Sequence, residues 1–201
     1  MDEREYVSQK GVSIIVVTDS IDYLRNIFEN YQRQDVENKE LIIICNRELH
    51  NFDLWIDEAT NYTMVRIYQQ DEGTSLGQCL SYGIERAIFE YIAIFGEKHY
   101  YGPQYLSETI RIFENIDADL IGKNAYDLHI LNSEITYSVN GKEYDYVNYV
   151  PLATFIFKTE LYDRIKFINE DAGIDVQFCN EYLTNEKKIY STGRQNYLLK
   201  I

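Results

Sequence analysis

The sequence predicts an α/β fold, a three-layer sandwich of helices around a mostly parallel central sheet with a small antiparallel part. Three observations carry that expectation. Two short, nearly continuous β-branched runs, Val12–Thr18 and Glu40–Cys45, read as strands buried on both faces. The roughly twenty residues between them hold one amphipathic helix, which makes a right-handed βαβ unit. The strand–helix alternation then continues to about residue 118, beyond which short strand-like runs follow one another without long crossovers.

Each element has its own signal. Asp19 and Ser20 can cap the first helix, along which Tyr23, Leu24, Ile27, Phe28 and Tyr31 recur at three- and four-residue spacing. Residues 51–60 form the next predicted helix, with Phe52, Trp55, Ile56 and Ala59 as its apolar stripe, and Met64–Tyr68 is the third strand. The turn DEGTS leads into a helix over Leu76–Phe89, carried by Leu80, Ile84, Ala87 and Ile88. Tyr91–Phe95 is the fourth strand, broken at Gly96, and the turn YGP opens a helix through Tyr105, Ile110 and Phe113.

In the second half, ADLIGKNAYDLHI, EITYSV and EYDYVNYV are short strand candidates. Asn140–Gly141 lies between two of them and predicts a hairpin. Pro151–Lys158 is a further strand leading into TELYDRI, residues 174–184 are a helix, and a last strand runs through Ile189–Tyr190 or Tyr197–Leu199. The antiparallel half is expected as a lobe of the same sheet, so that residues 1–10 are an N-terminal extension and 11–201 one domain.

Composition narrows the functional classes. With 19 basic and 33 acidic residues the 201-residue chain carries a formal charge of −14, which excludes a broad grip on a nucleic-acid backbone. No run approaches the roughly eighteen apolar residues of a membrane span, and MDEREYVSQK shows no apolar signal-peptide core. Cys45, Cys79 and Cys179, odd in number and widely spaced, fit a reduced, cytoplasmic protein. The charge is uneven: residues 187–201 hold four basic groups and no acid, leaving 15 basic against 33 acidic before them. Nineteen tyrosines suit clefts and interfaces, and the segment Tyr137–Tyr149 is a candidate contact for a second copy of the chain.

Ligands of open parallel sheets bind beyond the carboxyl ends of the strands. Thr18-Asp19-Ser20, Cys45-Asn46-Arg47 and Gly96-Glu97-Lys98-His99 fall there. The first two groups suit a base or ribose, although helix capping alone would account for Asp19 or Ser20. Glu97 and His99 lie two apart, on one side of an extended segment, and both types bind divalent metals. Lys98 could instead face a phosphate as a fixed charge. Asp175, after Gly173 at a helix start, is either a helix-terminal carboxylate or a general base. Gly73, Gly77 and Gly83 have the wrong spacing for a dinucleotide fingerprint, and the P-loop, C-x-x-C, H-E-x-x-H and G-x-S-x-G patterns are absent.

The ordered pieces resemble something more specific. VSIIVVTDSIDYLRNIFENYQRQDVENKELIIICN is similar to the opening of the family 2 glycosyltransferases of GT-A fold. LGQCLSYGIERAIFEYIAIFGEKHYYGPQYL resembles a bacterial subgroup of that family through Leu76, Gly77, Cys79, Leu80, Tyr91, Ile92, Ala93 and the run Tyr100-Tyr101-Gly102-Pro103. ADLIGK, PLATFIFKTELYDRIKF, DAGIDVQF and KKIYSTGRQNYLL continue the likeness, which covers about residues 11 to 200.

The resemblance implies transfer of a sugar from a nucleotide-sugar, UDP-linked, donor to a glycan or surface-polymer acceptor, often with Mg²⁺ or Mn²⁺. It implies a nucleotide-binding half over 11–118 and an acceptor-side half over 119–201. Thr18 and Asp19 would lie near the base with Asn46 beside them, Gly77 would belong to the donor side, and residues 96–99 would face the diphosphate. Asp175 would match the general base that takes the acceptor's proton. The family's aspartate-x-aspartate metal motif is replaced here by Gly96-Glu97-Lys98-His99. Two outcomes are therefore expected. Either Glu97 and His99 form an altered metal pair, or Lys98, with Arg194 or Lys187, neutralises the diphosphate; a chain that does neither would be an inactive binding or interaction protein.

Overall fold

The computed structural model describes residues 9–46, 52–162 and 166–201. Most of the 1–10 extension, Arg47, the first residue of the 51–60 helix and the end of TELYDRI lie outside them. The first half alternates as expected: β1 (Gln9–Thr18), α1 (Leu24–Arg33), β2 (Lys39–Cys45), α2 (Phe52–Ala59), β3 (Val65–Gln69), α3 (Leu76–Ile84) and β4 (Phe89–Gly96). β5 (Tyr100–Tyr101) and α4 (Tyr105–Phe113) follow, then β6 (Leu120–Gly122), β7 (Tyr126–His129), β8 (Thr136–Val139) and β9 (Asp145–Val147). The chain ends with β10 (Ile156–Lys158), α5 (Thr159–Tyr162), α6 (Ile174–Thr184), β11 (Ile189–Ser191) and β12 (Tyr197–Lys200).

Eight strands form one sheet in the order β3-β2-β1-β4-β10-β6-β11-β9. The four strands at the β3 end are parallel, while β10 enters antiparallel to both β4 and β6. The fold is thus the expected mixed α/β sandwich with a mostly parallel central sheet. A second sheet, β5-β12-β7-β8, brings the C-terminal strand back beside the β4–β5 turn.

The alternating side chains of the central strands explain the three layers. Ile15, Ile42, Ile44, Ile92 and Ile94 point to one face, where they meet Leu80 and Ile84 of α3 and Phe178 and Tyr182 of α6. Ile14, Val16, Ile43, Ala93 and Phe95 point to the other, packing on Ile27 and Phe28 of α1, Trp55 of α2 and Tyr105 and Leu106 of α4. Underneath, Glu40 is a fully buried charge: its carboxylate accepts from Ser13 Oγ (2.6 Å), from the Ile88 backbone N–H (2.9 Å) and from Arg66. This cluster ties β1, β2, β3 and the entry to β4 together.

Several sequence expectations need correction. The helix predicted to reach Phe89 stops at Ile84, because Glu85 caps it and Phe89 already pairs with Gln9 at the start of the strand ladder. Ala87 stays buried but Ile88 is exposed, so their helical spacing is coincidental. Ile56 is likewise exposed and leaves the apolar stripe to Phe52, Trp55 and Ala59. Asn140–Gly141 does not close a hairpin. β8 pairs with β7 in the second sheet and β9 with β11 in the first, and Asn124 holds the connection by accepting at Oδ1 from the Lys142 N–H (2.9 Å). Pro151–Lys158 is a strand only from Ile156, the preceding Leu152–Thr154 being a 3₁₀ turn. Both alternatives for the last strand form, as β11 and β12.

Candidate functional site

The register fixes where a ligand can sit. Thr18 lies opposite Cys45, Val17 opposite Gly96 and Cys45 opposite Gln69, so the carboxyl ends of β1, β2, β3 and β4 are level. Beyond them opens a cleft of about 330 Å³. Thr18, Asp19, Asn46 and the run Gly96-Glu97-Lys98-His99 line it, over an apolar floor of Leu76, Leu80, Ile94 and Phe95. The sequence-predicted residues from three separate strand ends are therefore brought together.

The β4–β5 turn that carries residues 96–99 is held from three sides. Asn26 Nδ2 donates to the Glu97 carbonyl (2.7 Å) and the His99 carbonyl (2.9 Å), and Asn30 Nδ2 also donates to the latter (2.8 Å). Tyr101, stacked on Phe95 with ring centroids 3.7 Å apart, accepts at its hydroxyl from the Gly96 N–H (2.7 Å) and donates to the Ala153 carbonyl (2.6 Å). From the C-terminal strand, the Lys200 N–H donates to His99 Nδ1 (3.1 Å). Sequence reasoning missed Asn26, Asn30, Tyr101 and Leu152–Ala153. The one available signal was the pair of asparagines four apart on α1, which share a helix face.

Two buried acceptors in this cleft have no partner: Asn46 Oδ1 and Glu97 Oε2. Buried polar atoms are ordinarily hydrogen-bonded, which makes these two candidate acceptors for a ligand's donors, although Trp55 Nε1, Gln177 Oε1 and the hydroxyls of Tyr182 and Tyr197 also lack partners away from the cleft. Burial lifts the Glu97 carboxyl above its usual range, the nearby Asp19 charge adding to the effect and a hydrogen bond from the Thr18 hydroxyl opposing it. His99 is pushed down to about 4, chiefly by burial and then by the Lys98 and Lys200 charges, so its imidazole is neutral at physiological pH. Lys98 reaches outward at the rim, its Nζ 5.2 Å from the centroid of the Tyr23 ring.

The side chains at the cleft make no cage of their own for a divalent cation. Among the described residues no group of three His, Cys, Asp or Glu side chains could hold a metal. His99 already accepts at Nδ1, and its opposite edge packs so closely on Gly96 that a Cβ there would overlap the ring. Glu97 is turned toward Thr18 and Asp19. What the cleft offers is two carboxylates, Asp19 and Glu97, beside Lys98, which do not by themselves enclose Mg²⁺ or Mn²⁺.

The other expected site residues stand elsewhere. Gly77 belongs to α3 and lies behind the cleft, where its N–H donates to the Glu170 carbonyl (3.1 Å) and a Cβ would overlap the Ile168 carbonyl. Arg194 is engaged by Glu143 (3.0 Å) and Asp127 (3.8 Å), and Lys187 by Asp119 (3.2 Å). Asp175, in the first turn of α6 after Gly173 at φ 71°, accepts from the Tyr149 hydroxyl (2.6 Å) and the Val176 N–H (2.9 Å). It is not among the cleft-lining residues. Cys45, Cys79 and Cys179 are free and buried, and no helix among the described residues is long and apolar enough to cross a membrane.

Known structures share this architecture. The chain is similar to the crystal structure of S. aureus TarS 1–349, with a TM-score of 0.75 and 16% identity over 96% of this chain and 60% of that one. It is similar to the complex of TarS 1–349 with UDP-GlcNAc at a TM-score of 0.76 and to the complex with UDP at 0.75, again at 16% identity over 96% of this chain. The chain spans 59% and 61% of the length of those two structures. No protein-family description matches it, and no curated protein does.

Proposed function

We propose that the protein binds a nucleotide-sugar, a UDP-sugar, in the cleft beyond β1, β2 and β4 and transfers the sugar to a glycan or surface-polymer acceptor. The observation that carries this reading is the pair of unpartnered buried acceptors, Asn46 Oδ1 and Glu97 Oε2, at the mouth of a parallel sheet. A nucleoside supplies both kinds of donor they call for, a base N–H and ribose hydroxyls. The likeness to TarS, which has been crystallised with UDP-GlcNAc and UDP, supports the same ligand class.

In this reading Thr18, Asp19 and Asn46 meet the nucleoside, residues 96–99 face the diphosphate, and the acceptor approaches from the second half of the chain. Gly77 acts indirectly, by seating α3 against residues 168–170 behind the floor. Asp175 is the residue of that half proposed to take the acceptor hydroxyl's proton as the oxygen attacks the anomeric carbon. Its hydrogen bond from Tyr149 keeps the carboxylate oriented. Asp175→Asn is expected to abolish sugar transfer, measured with a radiolabelled UDP-sugar, while UDP affinity stays within about twofold. Transfer undiminished in Asp175→Asn would remove the residue from that role.

A second reading is favoured by the place of Asp175 outside the cleft lining: a protein that binds the donor without transferring it. It expects UDP-sugar binding with neither transfer nor donor hydrolysis, and the same assay separates the two.

A further inference from the structure

Lys98 is the one Lys or Arg among the described residues that line the cleft, and we propose that its ammonium group takes the place of a divalent cation in neutralising a nucleoside diphosphate, making diphosphate binding metal-independent. The inference rests on the donor reading above and goes further by naming what neutralises the diphosphate.

Four observations lead to it. Two carboxylates, Asp19 and Glu97, line the cleft, and no group of three such ligands that could hold a cation by itself exists among the described residues. His99 contributes no charge, being buried and neutral, and its Nδ1 is spent on the Lys200 N–H. Arg194 and Lys187, the other two candidate cations, are both held in ion pairs by acidic side chains and do not line the cleft. Lys98 does line it.

The ammonium is also placed with some economy of motion. The β4–β5 turn is fixed by Asn26 and Asn30, and the face of Tyr23 lies under Nζ at 5.2 Å. A cation resting on a ring is attracted by the ring's quadrupole but keeps its three N–H donors for other acceptors. A lysine bound in this way acts as a point charge for phosphate oxygens, which suits a ligand whose diphosphate crosses the rim of the cleft.

The test compares uridine with UDP, by calorimetric titration, in the intact chain and in Lys98→Gln and Lys98→Arg. Each is titrated once with EDTA and once with Mn²⁺. In the intact chain UDP is expected to bind at least about tenfold more tightly than uridine in EDTA, with less than about twofold further gain from Mn²⁺. Lys98→Gln is expected to lose that tenfold advantage, keep its uridine affinity and keep its unfolding midpoint, since the side chain is exposed. Lys98→Arg should keep most of the advantage. An advantage that appears only with Mn²⁺, or one that survives in Lys98→Gln, overturns the proposal. Absence of both uridine and UDP binding instead overturns the donor reading on which it stands.

Discussion

Removing Arg66 should destabilise the protein more than neutralising its partner Glu40, although the two changes break the same ion pair. The Glu40 side chain is fully buried while that of Arg66 is 36% exposed. In Arg66→Met the carboxylate stays in the interior with only two neutral donors, Ser13 Oγ and the Ile88 N–H. Stripping one partner from a buried pair costs about 3–5 kcal/mol. In Glu40→Gln, Oε1 can keep both neutral donors, and Arg66 retains the Arg86 carbonyl at 2.7 Å together with solvent. What is lost is one charge-assisted hydrogen bond, about 1.5–3 kcal/mol. For a chain of this size the first change should lower Tm by about 6–20 °C and the second by about 3–12 °C. The double variant should cost less than the sum, because no uncompensated charge remains. Urea unfolding of the three variants at pH 7 measures all of this. The reasoning fails if Glu40→Gln is the more damaging single change, or if both cost under about 1 kcal/mol.

Two other outcomes probe the frame around the cleft. Gly77→Ala puts a methyl group into the Ile168 carbonyl and is expected to cost at least about 1–3 kcal/mol in urea unfolding; an unchanged midpoint would show that α3 is not seated as described. Lys123 is buried against the Tyr105 ring with its ammonium donating to Thr192 Oγ1 (3.0 Å), and burial pushes it down to about 8. The unfolded chain, with lysine near its ordinary value, binds more protons above that point. Stability should therefore rise with pH from about 8 toward 10, by on the order of 3 kcal/mol at most, and the rise should vanish in Lys123→Met. Parallel stability–pH curves for the two proteins would contradict this.

The strands that build the site were legible because they are buried on both faces. Val12–Thr18 and Glu40–Cys45 announce themselves as unbroken β-branched runs, and the switch from strand to turn then marks Thr18, Asn46 and Gly96 as strand ends. Helix α6 was equally plain, its predicted and observed limits being the same. The failures share a cause: a local signal was overruled by a distant partner. Asn140–Gly141 is a good turn, yet β8 and β9 find better ladders in different sheets. Ala87 and Ile88 keep helical spacing, yet they lie in the connection between α3 and the β1–β4 ladder that begins at Phe89, where the Ile88 N–H is taken by Glu40.

The candidate site divides in the same way. Its polar residues came from strand ends, which sequence can place. The wall at Leu152–Ala153 and the contact from Lys200 to His99 depend on β10 entering antiparallel and on β12 returning beside β5. Pairings of that kind leave no local pattern. Spacing alone also left open Glu97 and His99 as metal ligands against Lys98 as a fixed charge; the hydrogen bond to His99 Nδ1 and its packing on Gly96, which weigh against His99 as a ligand, exist only in the folded chain.

The most direct measurement is titration of uridine and UDP into the intact chain and Asn46→Leu, with the unfolding temperature of each. The side chains are similar in shape, so the change deletes a buried acceptor that has no partner within the protein. Asn46→Leu should unfold at the same temperature or higher, and should bind both ligands at least about tenfold more weakly, the worth of one hydrogen bond in a buried site. Equal affinity in the two proteins, or no binding by the intact chain, would contradict the assignment of this cleft to a nucleotide-sugar.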